Sequence, residues 1–292
     1  MTTSDPPDLP ELADLPELAD LPELADLAER VGREAASLLL AGLDRERTSV
    51  STKSSGTDMV TEIDRASEQL IVDALLAARP DDGILGEEGA SRPGTSGIRW
   101  VIDPLDGTTN YLYRHPGFSV SIAAERLDPS TIDDGVQRGE LLVGVVIDPV
   151  LDDVFRAARG AGSTRNGRPI RCSTVTDLGQ ALLATGFSYD PERRARQAGV
   201  IAGMIDRVRD IRRVGSAALD LCSVACGRVD AYAELGLKPW DMAAGTLIAR
   251  EAGARVQNLH GGPPSSLSVI AAPPALMEAL VATLLAAGAD RA

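Results

Sequence analysis

Histidine and cysteine are scarce in this chain of 292 residues. Its two histidines are His115 and His260. With so few histidines, the sequence gives little support to a nucleophilic mechanism that depends on a histidine base. The three cysteines are Cys172, Cys222 and Cys226. An odd and sparse set of cysteines favours reduced thiols, and we therefore expect a cytoplasmic location.

Long apolar runs and an excess of positive charge are also lacking. No apolar run reaches membrane-spanning length, and the N-terminus lacks the basic and apolar parts of a signal peptide. Acidic residues outnumber basic ones by 43 to 29, which gives a net charge of −14. We therefore expect no binding to nucleic acids or membranes. The negative charge permits local carboxylate clusters that hold hard cations.

The N-terminus contains a short acidic repeat. The sequence Asp-Leu-Pro-Glu-Leu-Ala occurs at residues 8–13, 14–19 and 20–25. A proline in each copy interrupts any continuous helix, so we predict an acidic, disordered tail over residues 1–26. A peptide that docks a partner protein is the alternative interpretation of this segment.

The remaining chain divides by its pattern into two halves, 27–150 and 151–292. In the first half, a helical pattern from about Leu24 to Arg45 precedes a polar loop, Thr48 to Thr57, and then several strands. In the second half, strands and helices alternate, as in a layered α/β unit. Its helical pattern from Asp190 to Val208 is rich in arginine.

The segment from Trp100 to Tyr111 is the most informative. Trp-Val-Ile predicts the end of a buried strand, after which Pro104 and Gly107 bend the backbone. A tight turn can aim Asp103 and Asp106 at one point, and the Thr-Thr-Asn that follows suits the start of a short helix, whose free N–H groups attract an anion. Because carboxylates there would repel a phosphate unless a divalent cation lay between them, the residues suggest a metal-dependent phosphate site.

Three further acidic residues, Asp64, Glu87 and Asp241, end an apolar element or begin a helix. Taken alone, each has an ordinary explanation: a surface helical position, a solvated loop and a helix cap, respectively. A covalent aspartyl-phosphate is disfavoured, because Asp103 and Asp106 are one residue further apart than such phosphatases require and a proline follows the first of them.

Together these segments resemble the inositol monophosphatase family of metal-dependent sugar phosphatases. The resemblance covers roughly Leu27 to the C-terminus and leaves the repeated tail outside. It implies a fold of mixed α+β and α/β class, a layered αβαβα sandwich. The motifs that carry it are Lys53-Ser54-Ser55, Val60-Thr61-Glu62-Ile63-Asp64, Leu85-Gly86-Glu87-Glu88, Asp103 to Asn110, Gly215-Ser216-Ala217-Ala218 and Trp240 to Gly245.

The resemblance also implies a set of metal ligands. Glu87, Asp103 and the backbone carbonyl of Leu105 would hold a first Mg²⁺. Asp103, Asp106 and Asp241 would hold a second, and a third, looser ion would lie by Glu87. Ligands that are all oxygen suit Mg²⁺, and the resemblance therefore implies two or three Mg²⁺ ions.

The catalytic roles follow from the same resemblance. Thr108 and Asp64 would orient and deprotonate a water molecule, with Glu87 as the third catalytic residue. The N–H groups of Gly107 and Thr108 would hold the phosphate oxygens. Asp106, Ala217 and Glu234 match the positions that bind ring hydroxyls.

The predicted function is Mg²⁺-dependent hydrolysis of inositol 1-phosphate or a similar polyol phosphate by direct attack of water. The resemblance adds a homodimer and inhibition by Li⁺. Related phosphatases that act on fructose 1,6-bisphosphate, histidinol phosphate or nucleotide 3′-phosphates are the enzymatic alternatives. A regulatory protein-interaction role on a phosphatase fold is the alternative from another class, motivated by the repeated tail and the Arg-rich stretch 193–213.

Overall fold

The computed structural model describes residues 20–43, 50–52, 59–133 and 136–292. The expected tail up to residue 19 and Lys53 lie outside the described residues. The helices are α1 Leu21–Leu43, α2 Glu62–Ala78, α3 Thr108–Leu112, α4 Pro191–Ala202, α5 Ala217–Ala225, α6 Pro239–Glu251 and α7 Pro274–Ala286. The strands are β1 Val50–Thr52, β2 Met59–Thr61, β3 Gly83–Gly86, β4 Ser91–Arg92, β5 Ile98–Asp106, β6 Ser119–Asp133, β7 Val136–Asp148, β8 Asp153–Ala158, β9 Gly162–Arg165, β10 Arg168–Pro169, β11 Leu182–Thr185, β12 Asp210–Arg212, β13 Ala231–Glu234, β14 Arg255–Gln257 and β15 Val269–Ala272.

These elements stack into alternating layers of helices and sheets. α1 and α2 cover one face of an eight-stranded sheet of order β10-β9-β8-β7-β6-β5-β3-β4, and α5 and α6 cover its other face. α5 and α6 also pack against a five-stranded sheet of order β12-β11-β13-β15-β14, whose outer face is covered by α4 and α7. The predicted layered αβαβα sandwich is confirmed.

Alternating apolar side chains explain why both sheets are covered on both faces. Trp100 and Ile102 of β5 belong to the core beneath α1 and α2, while Val101 between them belongs to the core around α5 and α6. In β13, Tyr232 faces α5 and Ala233 faces the outer layer. Successive strand residues point to opposite faces, so near-continuous apolar runs are required where helices lie on both sides.

The first helix begins earlier than the sequence pattern predicted. α1 begins at Leu21, so Pro22 lies in its first turn, where a missing N–H group costs no helical hydrogen bond. Leu21, Leu24 and Ala25 of the third repeat are buried against the sheet. The predicted end of the tail at residue 26 is therefore wrong for residues 21–26, which belong to α1.

Three other boundaries differ from expectation. β8, β9 and β10 join the same sheet as β3 to β7, so the change of sheet falls after residue 169 and does not coincide with the expected division at 150. The Arg-rich helix expected to reach Val208 ends at Ala202. Within the expected polar loop, residues 50–52 form β1, which pairs antiparallel with β2.

Candidate active site

Two neighbouring parallel strands deliver acidic residues to one edge of the large sheet. β3 pairs in parallel with β5, with Gly86 opposite Ile102. Glu87 follows β3, and its N–H donates to the Ile102 carbonyl at 3.2 Å. Asp103 lies one residue further along β5, so the parallel register brings both acids to the same end of the sheet.

The loop after Glu87 is held by a buried carboxylate of α2. Glu68 accepts hydrogen bonds from the N–H groups of Glu88, at 2.9 Å, and Ala90, at 3.0 Å. A side chain at Gly86 would collide with this carboxylate. The Gly-Glu-Glu motif is therefore fixed by a contact that lies outside the motif itself.

The turn at residues 103–107 needs both its aspartate and its glycine. The Asp103 side chain accepts a hydrogen bond from the Leu105 N–H at 3.0 Å, and the β5–β6 pairing is irregular between Asp103 and Asp106. Gly107 has a φ of 91°, and a Cβ there would lie 2.8 Å from the Gly117 carbonyl oxygen. Only glycine adopts this conformation without strain and leaves the backbone free to approach a ligand.

Thr108 connects this turn with α2. Its Oγ1 lies 3.2 Å from Oδ1 of Asp64 and 3.1 Å from the Leu105 carbonyl oxygen. One hydroxyl proton can serve only one of these acceptors at a time. Asp64 is fully buried in the first turn of α2, so its expected alternative role as a surface helical residue is wrong.

Asp106 joins the turn to the start of α5. Its Oδ2 accepts hydrogen bonds from Ser216 Oγ at 2.6 Å and from the Ala218 N–H at 2.8 Å. Burial raises the pKa of Asp106 to about 6, although these hydrogen bonds act to lower it. The Ala217 N–H also faces this carboxylate and acts to lower its pKa.

Asp241 lies in the first turn of α6, where its Oδ2 accepts a hydrogen bond from the Lys238 N–H at 2.7 Å. Helix capping, the ordinary explanation for this residue, is therefore confirmed. The same carboxylate also lines the pocket, and burial followed by the charges of Glu87 and Asp106 raises its pKa well above the usual value. Capping and a role in the pocket are thus compatible.

The predicted residues meet in one cavity of about 100 Å³. Burial first, and then the charges of Glu87, Asp106 and Asp241, raise the pKa of Asp103 well above its ordinary value. Asp64 is linked to the cavity through Thr108. The predicted residues that line it are Glu87, Asp103, Leu105, Asp106, Gly107, Thr108, Ala217, Glu234 and Asp241.

The donors in this cavity fit a hard divalent cation. In the part of the chain that the structure describes, no three His, Cys, Asp or Glu side chains are already arranged to hold a metal ion. Mg²⁺ commonly uses only one or two carboxylates and completes its shell with waters and substrate phosphates. Buried or half-buried carboxylates with raised pKa values beside a backbone carbonyl therefore suit Mg²⁺ better than a metal that needs a closed protein cage.

Glu234, the last residue of β13, also lines the cavity. The Tyr232 hydroxyl donates to its Oε2 at 2.6 Å. Burial raises the pKa of Glu234 to about 7, against the lowering effects of this hydrogen bond and the Arg213 charge. A side chain at Gly186 would collide with the Glu234 carboxylate, so Gly186 makes room for it.

Sequence reasoning missed Asp220 and Tyr232. Asp220 in α5 is 1% exposed, and its Oδ1 has no hydrogen-bond partner among the described residues. Burial, followed by the charges of Glu234 and Asp106, raises its pKa well above the usual value. An aspartate inside the apolar run Ala-Ala-Leu-Asp-Leu-Cys is the signal that indicates such a buried acid.

Comparisons with known proteins identify the family. The sequence profile described as "Inositol monophosphatase family" matches residues 20–289. The chain belongs to the inositol monophosphatase family. An inositol-1-monophosphatase of Mycobacterium leprae is 45% identical over 246 residues, which cover 80% of this chain and 81% of that protein. A protein named Nus factor SuhB, from Pasteurella multocida, is 43% identical over 237 residues, which cover 80% of this chain and 85% of that protein.

Solved structures show the same inositol monophosphatase fold. The extragenic suppressor protein suhB from Bartonella henselae superposes with a TM-score of 0.82 at 34% identity, covering 90% of this chain and 98% of that one. An inositol monophosphatase from Anabaena gives a TM-score of 0.77 at 34% identity, with 91% and 97% covered. The family and its named members support a metal-dependent phosphatase. None of the described helices is long and apolar enough to cross a membrane.

Proposed function

We propose that this protein is a Mg²⁺-dependent phosphomonoesterase that hydrolyses inositol 1-phosphate or a similar polyol phosphate. One observation carries the proposal: buried Asp103 and half-buried Asp106 and Asp241 converge with Glu87 on a cavity that the Gly107–Thr108 backbone also lines. Such an acidic pocket repels phosphate unless cations are bound there. The family's metal dependence resolves this conflict.

The cation ligands in this proposal are those of the cavity wall. Glu87, Asp103 and the Leu105 carbonyl would hold one Mg²⁺, Asp103, Asp106 and Asp241 a second, and a third would lie by Glu87. When bound, Mg²⁺ lowers the pKa of a coordinated water and neutralises charge on the phosphate oxygens.

Asp64 and Thr108 handle the proton. Asp64 is fully buried, and the Thr108 hydroxyl lies 3.2 Å from its Oδ1. A hydroxyl both accepts and donates, so Thr108 orients the attacking water while Asp64 takes up the proton. The N–H groups of Gly107 and Thr108 hold the phosphate oxygens and stabilise the charge that spreads over them. No covalent enzyme intermediate is required.

The part of the cavity that would contact the alcohol group of the substrate determines which phosphate ester is bound. Glu234 accepts hydrogen bonds from vicinal hydroxyls, and the Asp106 carboxylate and the Ala217 N–H bind further hydroxyls of the ring. The hydrogen bond from the Tyr232 hydroxyl holds the Glu234 carboxylate in place. A wall that combines acceptors with a backbone donor suits a neutral polyol, which favours an inositol ring. We further propose a cytoplasmic homodimer that is inhibited by Li⁺.

A phosphate-release screen tests the substrate. The full chain is assayed with inositol 1-phosphate, fructose 1,6-bisphosphate, histidinol phosphate and a nucleoside 3′-phosphate, each with Mg²⁺, with chelator and with added Li⁺. We expect the highest kcat/KM for inositol 1-phosphate, no release with chelator and inhibition by Li⁺. A higher kcat/KM for another ester overturns the substrate assignment, and release that survives chelation overturns the metal-dependent mechanism.

The Nus factor name of one relative favours a second candidate, a protein-interaction role on the phosphatase fold. The repeated segment before α1 is the candidate docking peptide. Removal of residues 1–19 separates the two roles, because it leaves the buried start of α1 intact. Unchanged turnover together with loss of a bound partner supports the second role, and a loss of turnover contradicts it.

A further inference from the structure

A second cavity, of about 730 Å³, lies between β5, β7 and α6 and shares no lining residue with the candidate active site. Sites for small molecules typically measure roughly 300–1,000 Å³, so this cavity has the size of a ligand site. The connection between β14 and β15 closes one side of it through Asn258, Pro263, Pro264, Ser265 and Leu267.

Most of the wall of the second cavity is apolar. Side chains of all its bordering elements contribute, namely Val101, Leu141, Pro239, Met242, Leu247 and Leu267. Water gains little from contact with such a wall, whereas an apolar molecule is favoured there. Small-molecule sites are typically built in this way, with a few polar groups that fix the orientation of the ligand.

Two polar groups of the wall lie on one stripe of α6. Met242, Thr246 and Arg250 are spaced four residues apart, so they lie on one face of the helix. Thr246 is 1% exposed, and its hydroxyl has no hydrogen-bond partner among the described residues. A buried hydroxyl without a partner is costly, so this wall lacks an acceptor that a ligand can supply.

Arg250 continues the stripe beyond Thr246. Its Nη2 donates to the Val256 carbonyl at 3.2 Å, and it forms no ion pair with a described carboxylate. A guanidinium has five N–H donors, so most of its donors remain for another acceptor. The stripe thus changes from apolar to hydroxyl to cation along the helix.

The other charged groups of the wall are already engaged. Arg99 donates to Glu125 at 2.8 Å, and Arg159 pairs with Glu140. Glu251 accepts two backbone N–H groups of the turn between β8 and β9, at 2.8 and 2.9 Å. Among the described lining residues, Arg250 is therefore the cationic side chain that is available to bind an anionic ligand.

We propose that the second cavity binds a small amphipathic organic anion. Its apolar body lies against Val101, Met242 and Leu247, and its anionic oxygens accept hydrogen bonds from Arg250 and Thr246. The ligand contacts β5 and α6, the elements that carry three acids of the candidate active site. Binding in this cavity does not depend on the proposed phosphatase function.

The test uses 8-anilinonaphthalene-1-sulfonate, a fluorescent molecule with an apolar body and one sulfonate. Titration into the folded full chain is expected to show saturable binding of one molecule per chain. Arg250→Gln removes a charge-assisted hydrogen bond and is expected to weaken binding roughly tenfold. Leu267→Glu places a negative charge on the rim, where Leu267 is 67% exposed, and is also expected to weaken it. Arg196→Gln on the exposed face of α4 is the matched control and is expected to bind normally.

Competition experiments test whether binding requires an apolar body in addition to an anionic group. Decanoate, which has an apolar chain and a carboxylate, is expected to displace the probe, whereas inorganic phosphate is not. Thermal melts identify any variant whose lost binding arises from unfolding, in which case the other variant decides. Absence of saturable binding, normal probe affinity in Arg250→Gln and Leu267→Glu, or displacement by phosphate as effective as by decanoate would each overturn the proposal.

Discussion

At the scale of single residues, the candidate site is a set of carboxylates whose negative charges repel each other until a cation is bound. Asp103 is 1% exposed, and the charges of Glu87, Asp106 and Asp241 all act to raise its pKa. This arrangement costs stability in the absence of metal, because buried like charges repel each other. It follows that changes to these residues should affect activity and stability in opposite directions.

Asp103→Asn tests the shared ligand. Loss of a charge that two Mg²⁺ ions share is expected to lower kcat/KM by roughly a hundredfold or more, while the metal-free protein melts at the same temperature or higher. Phosphate release and thermal melting with chelator measure the two effects. Asp290→Asn, at an exposed position, is the control and should change neither phosphate release nor the melting temperature. Full Mg²⁺-dependent turnover in Asp103→Asn would show that the ligand assignment is wrong.

The stability of the metal-free protein is expected to fall as pH rises. Burial raises the pKa of Asp106 to about 6 and that of Glu234 to about 7. A carboxyl whose pKa is raised by folding stabilises the folded state below its unfolded pKa, and this stability is lost as pH rises through the folded pKa. The melting temperature with chelator should therefore decrease between about pH 4 and pH 8. Added Mg²⁺ should restore the melting temperature at the upper end of this pH range. A melting temperature that stays constant or rises over the range would contradict this prediction.

Glu234→Gln tests substrate selection. The amide keeps the size of the side chain but loses its charge, so hydrogen bonds from ring hydroxyls weaken. The KM for inositol 1-phosphate is expected to rise roughly tenfold, with a much smaller change in kcat. Steady-state kinetics with inositol 1-phosphate and with a simple phosphomonoester, which lacks ring hydroxyls, provide the comparison. An equal change for both substrates would contradict a role in binding the alcohol.

Single residues also show what the sequence could predict about the site. Asp103, Asp106 and Gly107 lie in one turn, so their spacing alone indicated that they converge. Asp220 and Tyr232 act through burial beneath the pocket, which depends on how α5 packs against β13. No local pattern encodes that packing, although an acid within an apolar helical run is a usable signal.

At the scale of secondary-structure elements, α1 shows that one copy of the repeat takes part in a helix. The third repeat copy begins the helix, and Arg156 of β8 fixes it through the Pro22 carbonyl and the carboxylates of Asp26 and Glu29. Proline in the first helical turn is compatible with this start. The sequence pattern placed the helix start three residues too late because it treated each proline alike.

Two truncations test this account of α1. Removal of residues 1–19 is expected to leave stability nearly unchanged, whereas removal of residues 1–25 also removes buried Leu21, Leu24 and Ala25. The second truncation is expected to cost about 3–6 kcal/mol, from the burial of two leucines. Urea unfolding monitored by circular dichroism measures the difference, and equal stability of the two truncated proteins would contradict the packing described for α1.

At the scale of the whole molecule, the site depends on contacts between distant parts of the chain. The hydrogen bonds of Asp106 with Ser216 and Ala218 connect residues 110 and 112 positions apart. Local patterns predicted most elements, because strand and helix periodicities are local properties, whereas the layered αβαβα fold was implied by the resemblance to the family. The expected division at 150 does not coincide with the change of sheet after residue 169, since no local pattern in β9 and β10 shows that they continue the sheet of β8.

The most direct test of the central claim is a Mg²⁺ titration of phosphate release from inositol 1-phosphate, using the full chain after treatment with chelator. The account predicts no release without divalent cation and saturable release as Mg²⁺ is added, with the same titration of Asp103→Asn remaining near background. Release of phosphate at full rate without Mg²⁺, or a normal titration in Asp103→Asn, would contradict the assignment of the acidic cavity as a metal-dependent phosphatase site.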